Sequence, residues 1–139
     1  MLNFFSIPNQ SFNGPVLITG AGGCIGAWTM AMLLKENIEV IACDLTNNKK
    51  RPELLIENEE LSKVPWVEGD ISDTDYVLNT VKKYNPESII HLAALQVPFC
   101  AADPTAGAKV NVVGTVNIME AAKQNSIKRI AHASSMAAH

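Results

Sequence analysis

Three glycines at three-residue spacing, Gly20, Gly23 and Gly26, stand directly behind the apolar run Val16-Leu17-Ile18-Thr19 and directly ahead of a helical pattern. Strand, glycine loop and helix in that order form the context in which such a repeat can hold a dinucleotide pyrophosphate. Gly20 permits the turn out of the strand. Gly23 lets the backbone approach a pyrophosphate that a side chain would strike, and Gly26 lets the helix pack close to the sheet. The helix amino terminus adds N–H groups and partial positive charge for the phosphates. The candidate cofactor loop is therefore Thr19, Gly20, Gly22, Gly23, Cys24, Ile25 and Gly26. The plain alternative is a glycine-rich turn with no ligand. Asp44, about twenty residues further on, closes the next apolar run. A carboxylate there accepts hydrogen bonds from adenosine ribose hydroxyls and repels a 2′-phosphate, so NAD is expected over NADP. The same carboxylate would equally serve as a strand-end cap, and Lys49, Lys50 and Arg51 offer the cation that a 2′-phosphate needs.

These residues need elements to position them, and the chain alternates strand and helix. Strands are expected over 15–19, 39–43, 64–67, 88–92 and 128–133. Helices are expected over 24–36, with Ile25, Trp28, Met32 and Leu33 on one face, over 52–61 and from Ser72 to Tyr84. Ser72 and Asp75 have the spacing of a capping box. Asp103-Pro104 reads as N-cap and first helical residue of a helix running to about Gln124. Val110 to Met119 is rich in β-branched residues, which favour strand. Its length, its Asp-Pro start and the need for a crossover before the next parallel strand favour helix. Gly107 and Gly114, two turns apart, would let that helix lie close on the sheet.

Alternation of this kind implies a Rossmann-like, doubly wound α/β fold with a parallel sheet in the order 3-2-1-4-5. The ligand crevice then lies beyond the carboxyl ends of strands 1 and 4, where the order reverses. The candidate site residues sit at carboxyl ends of strands. Residues 1–14 read as a tail and 15–139 as one NAD(P)-binding domain.

With 139 residues and a net charge of −3, the chain has no electrostatic basis for nucleic-acid binding. Cys24, Cys43 and Cys100 form neither a metal-ligand pattern nor a disulfide framework, so reduced thiols in the cytoplasm are expected. The first fourteen residues resemble neither a signal peptide nor a membrane span, and no membrane association is expected.

Five pieces now stand in order: Thr19-Gly20-x-x-Gly23-x-x-Gly26, Gly69-Asp70-Ile71, His91-Leu92-Ala93-Ala94, Asn111-Val112-x-Gly114-Thr115 and Ser134-Ser135. Together they resemble the cofactor-binding part of an extended short-chain dehydrogenase/reductase, the NAD-dependent epimerase/dehydratase family. The resemblance runs from Val16 to about Met136. It implies that Asp70 and Ile71 lie against adenine, with Asp70 accepting from the amino group. It implies that Ala93 and Ala94 flank the middle of the cofactor, with Leu92 and Ser134 also at it. Asn111 would support the active-site end of the sheet, and Ser135 would hydrogen-bond the reacting oxygen. From the residues alone, Asp70 reads as a cap, the alanines as packing, Asn111 as a helix-interior residue, Ser135 as a loop hydroxyl, and His91 and His132 as core or strand-end residues.

The family's acid/base is a tyrosine with a lysine four residues later, the lysine lowering the phenol's pKa. Tyr76 and Tyr84 have no lysine at that spacing, and Ala138-His139 stands where Val-Tyr-Gly is usual. Cys24 replaces a common aromatic. The expectation is thus the NAD-binding portion of a nucleotide-sugar epimerase- or dehydratase-type oxidoreductase, inactive as given, with a small-molecule substrate only in a complete chain. A stand-alone, non-catalytic dinucleotide-binding or interaction module is the alternative. The fifth strand should present an unpaired edge open to self-association.

Overall fold

The computed structural model describes residues 12–135; most of the expected tail, and Met136 to His139, lie outside the described residues. In chain order the elements are β1 (Val16–Thr19), α1 (Cys24–Lys35), β2 (Val40–Asp44), a 3₁₀ turn (Pro52–Leu54), α2 (Asn58–Leu61), β3 (Trp66–Glu68), α3 (Thr74–Tyr84), β4 (Ser88–His91), α4 (Val97–Ala102), α5 (Pro104–Ala108), a π-helical segment (Lys109–Gly114), α6 (Thr115–Gln124) and β5 (Arg129–His132). The five strands form one parallel sheet, ordered β3-β2-β1-β4-β5 as the alternation predicted.

The sheet is apolar on both faces because helices cover both. Successive side chains of a strand point to opposite faces. Val16 and Ile18 of β1, with Val40 and Ala42 of β2, therefore pack with Met30, Ala31 and Leu33 of α1 and with Leu61 of α2. Leu17, Ile41, Cys43 and Ile89 point the other way, onto Val77 and Val81 of α3 and Ile118, Ala121 and Ala122 of α6.

The buried face of α1 is not the one that large apolar residues suggested. Ile25 is 65% exposed and Trp28 39% exposed, while Gly26, Ala27, Met30, Ala31 and Leu33 are buried. The first turn of the helix lies so close to the sheet that Gly26 and Ala27 face it, and the large buried side chains, Met30 and Leu33, come only further along. The helix expected over 52–61 is broken into the 3₁₀ turn and α2. The cap of α3 lies one residue later than expected. Asp73, not Ser72, caps it, its carboxylate accepting from the Tyr76 amide at 3.0 Å.

Asp103 caps α5 as the Asp-Pro pair indicated, accepting from the Ala106 amide at 3.0 Å. Helix then continues to Gln124 through the β-branched stretch, but as α, π and α in turn. The helix α4 ahead of it was not anticipated. Gly107 is pressed against Cys100 of α4 and Gly114 against Ile71, so neither serves the close approach to the sheet expected of them.

Candidate functional site

A cleft of about 500 Å³ opens where the strand order reverses. The loops at the carboxyl ends of the strands build it. β1 supplies Gly20, Gly22, Gly23, Cys24, Ile25 and Gly26, and β2 supplies Asp44 with the loop behind it. Gly69, Asp70 and Ile71 follow β3, Leu92, Ala93 and Ala94 follow β4, and Ala133 follows β5. These fourteen positions from five loops thus meet although the chain separates them by up to 113 residues; only a parallel sheet brings all its carboxyl ends to one side.

Gly20 takes φ +73°, a left-handed turn that glycine adopts without strain. The turn closes through the Gly23 amide on the Gly20 carbonyl at 3.0 Å. α1 then starts at Cys24 with no side chain capping its first turn, and its amino terminus faces the cleft. Asp44 fastens the second strand to this loop. One carboxylate oxygen accepts from the Gly22 amide at 2.8 Å, and the other from the Leu45 amide at 2.8 Å. The Arg51 guanidinium donates to the Gly22 carbonyl at 3.2 Å, from the other side.

Of the three basic residues weighed for a 2′-phosphate, Arg51 lines the cleft, whereas Lys49 lies over the Trp66 ring at 5.3 Å. Asn48, Gln96 and Val110 are cleft residues that sequence reasoning did not single out. Proximity to Asp44 was the available signal for Asn48. Gln96 and Val110 carried none, since only folding brings them in.

Asp70 accepts from the Ser72 amide at 2.8 Å, which shapes the turn after β3 and leaves Asp70 exposed at the cleft. Asn111 lies behind the cleft wall. Its side chain accepts from the Leu95 amide at 2.7 Å and donates to the Leu95 carbonyl at 3.0 Å. Thr19 is likewise behind the wall, 1% exposed, with its hydroxyl 2.6 Å from His91 Nδ1. Ser134 and Ser135 are exposed beyond β5 and are not among the residues that line the cleft.

His91 is 1% exposed and stacks on His132 with ring centroids 5.2 Å apart. Burial, reinforced by His132, pushes its pKa down to about 4. Tyr76 is shifted the opposite way to an acid/base phenol. Burial, then the neighbouring Cys43 thiol, raises its pKa, and its hydroxyl donates to the Val67 carbonyl at 3.2 Å. Burial also pushes the Cys43 thiol up to about 11. Among the described residues no group of three or more His, Cys, Asp or Glu could hold a metal, and no helix is long and apolar enough to cross a membrane.

Residues 17–138 match the family model described as GDP-mannose 4,6 dehydratase. A UDP-glucose 4-epimerase of Mycolicibacterium smegmatis is 38% identical over 120 residues, which are 86% of this chain and 38% of that protein. A UDP-glucose 4-epimerase of Klebsiella pneumoniae is 32% identical over 122 residues, covering 86% of this chain and 88% of the relative. The structure of the Thermus thermophilus UDP-glucose 4-epimerase in complex with NAD superposes with a TM-score of 0.71 at 28% identity, covering 84% of this chain and 36% of that one. The chain thus spans less than two fifths of the smegmatis and Thermus proteins. The family model covers nearly the whole chain, and the sheet order is the one the alternation of strands and helices implied. The chain belongs to the NAD-dependent epimerase/dehydratase family of extended short-chain dehydrogenases/reductases.

Proposed function

We propose that the cleft binds NAD and serves hydride transfer in a nucleotide-sugar epimerase- or dehydratase-type oxidoreductase. The observation that carries this reading is the Asp44 carboxylate, held on the Gly22 amide at the rim of the cleft. It stands where adenosine ribose hydroxyls would need an acceptor, and each carboxylate oxygen has a further lone pair beyond the one that accepts from a backbone amide. The residues present fit the cofactor. A Cβ on Gly22 would come within 2.8 Å of the Asn48 carbonyl, so the cradle is built around bare backbone.

NAD, when bound, accepts a hydride at its nicotinamide ring. The chain's own residues would do the rest. Gly22, Gly23 and the first turn of α1 hold the pyrophosphate, Asp44 the adenosine ribose, and Asp70 with Ile71 the adenine. Leu92, Ala93 and Ala94 border its middle, with Thr19, Asn111 and Ser134 around them, and Ser135 hydrogen-bonds the reacting oxygen. Tyr76, with its raised pKa and its bond to Val67, is not suited to the proton step. Three free cysteines, one of them buried, are consistent with a cytoplasmic setting.

Calorimetric titration with both dinucleotides tests the reading. NAD should bind more tightly than NADP, and Asp44→Ala should weaken NAD about tenfold or more, as loss of a charged hydrogen bond does. The same variant should narrow the gap to NADP. Equal or tighter NADP binding by the unaltered chain would sink the assignment of Asp44.

The edge strand carries a second expectation. β5 pairs with β4 on one side, and among the described residues no strand pairs with its other side. Ala131 and His132 are exposed, and Ile130 is half-buried. Such edges recruit other chains. Light scattering should therefore show mass rising with concentration, and a constant monomer mass at high concentration would refute pairing through β5.

A further inference from the structure

The geometry points to His91 as a positioning residue for the cleft: a neutral imidazole, protonated on Nε2, that clamps the backbone of Ala93 and Leu95 into the cleft wall. This role goes beyond the cofactor reading above, and only the affinity measurement below rests on that reading.

Donor accounting assigns the tautomer. The Thr115 hydroxyl donates to the Asn111 carbonyl at 2.9 Å, so its oxygen is left to accept from His91 Nε2–H at 3.1 Å. The Thr19 oxygen accepts from the Leu92 and Ala93 amides, both at 3.2 Å, so its proton is left for His91 Nδ1 at 2.6 Å. Every donor then has an acceptor, the Leu92 amide being shared between the Thr19 hydroxyl and the Thr19 carbonyl at 3.1 Å. An imidazolium, or the other tautomer, would set two donors against each other at one end.

The ring thereby joins two arms. One runs through Thr19 to the Ala93 amide. The other runs through Thr115 to Asn111, whose side chain brackets Leu95. Both end on backbone that lines the cleft. The groups around the ring come from each neighbouring element. β1 offers Thr19 and α6 offers Thr115. β5 offers His132, while its Arg129 sits at the far end of the register against Ser88, paired with Glu87 at 2.8 Å.

Two uncharged replacements separate the arms. His91→Asn keeps an oxygen near the Nδ1 position and the Thr19 arm, and His91→Gln keeps an N–H near the Nε2 position and the Thr115 arm. Amide exchange of the ligand-free chain should quicken about tenfold at Leu95 alone in the first and at Ala93 alone in the second. NAD affinity at 25 °C should fall about tenfold in the Gln variant and recover most of the way in the Asn variant. Nitrogen NMR of the unaltered chain should show Nδ1 bare at neutral pH.

Equal loosening of both amides in both variants, or an Nδ1 proton, would overturn the clamp. If both His91 variants fail to fold, Thr19→Val and its rescue by Thr19→Ser make the same comparison at Ala93. If the unaltered chain does not bind NAD, the proposed function falls, while the exchange pattern still decides the clamp.

Discussion

Gly26→Ala should lower the stability of this chain by about 3 kcal/mol, whereas Gly23→Ala, three residues earlier, should leave it within about 1 kcal/mol. A Cβ on Gly26 would overlap the carbonyl oxygen of Gly20 and lie 2.8 Å from Ala21 Cα. Both obstacles are backbone, so no side chain can swing aside. Relief would require α1 to retreat from the sheet and take Ala27, Met30 and Ala31 out of their contacts. At Gly23 the nearest obstacle is the same oxygen at 3.1 Å, and the backbone angles, φ −70° and ψ 169°, suit any residue. For a chain of this size the Gly26 penalty corresponds to a melting temperature lower by about 10 °C.

The binding effects should run the other way. Gly23→Ala should bind NAD at least tenfold more weakly while folding normally, because its methyl occupies the space the pyrophosphate needs. Thermal melts and calorimetry on the two variants check both halves. A well-folded Gly26→Ala chain would show that α1 does not sit as close to β1 as described. A Gly23→Ala chain with unaltered NAD affinity would remove the pyrophosphate from this loop.

The second large effect is acid sensitivity arising from His91. Its folded pKa, about 4, lies below the ordinary 6.5, so the unfolded chain takes up the proton first. Above pH 6.5 neither state is protonated, and the full stability is present. As pH falls from 6.5 toward 4, stability falls with it, by about 3 kcal/mol for this one buried group. Below about pH 4 both states carry the proton, and the loss from His91 stops. Urea unfolding at several pH values between 7.5 and 4 should therefore show a slope that His91→Asn flattens. Carboxylates titrate in part of the same range, but equally in both chains, so the difference between the two isolates the histidine. Parallel curves would mean that His91 is no harder to protonate in the folded chain than in the unfolded one.

How much of this was legible beforehand depends on what each feature needs. The glycine loop, the five strands and their order follow from local patterns: short apolar runs alternate with helices, and right-handed crossovers then leave few topologies. The position of the cleft follows from that order alone. So does the meeting of the glycine loop with Asp44, Asp70, Ile71 and Ala93, since each stands just past the carboxyl end of a strand. The helix through Val110, Val112 and Val113 was legible only against β-propensity, because the need for a crossover outweighs it.

Other features were decided by tertiary structure. The buried face of α1 depends on how near the helix comes to the sheet, and at close range Gly26, Ala27 and Ala31 displace Ile25 and Trp28 from that face. The cap of α3 went to Asp73, whose carboxylate reaches the Tyr76 amide, while the Ser72 amide is held in the turn by Asp70, a one-residue shift that spacing does not register. Arg51 was one of three similar cations until Trp66 engaged Lys49. Above all, His91 was an ordinary strand-end residue in the sequence. Its tautomer, its depressed pKa and its hold on the cleft wall come from Thr19, Thr115 and His132, which are 72, 24 and 41 positions away along the chain. Local residue types set the backbone path. The state of a buried polar group is set by the partners that the path brings to it, because in a desolvated site each lone pair and proton must find one.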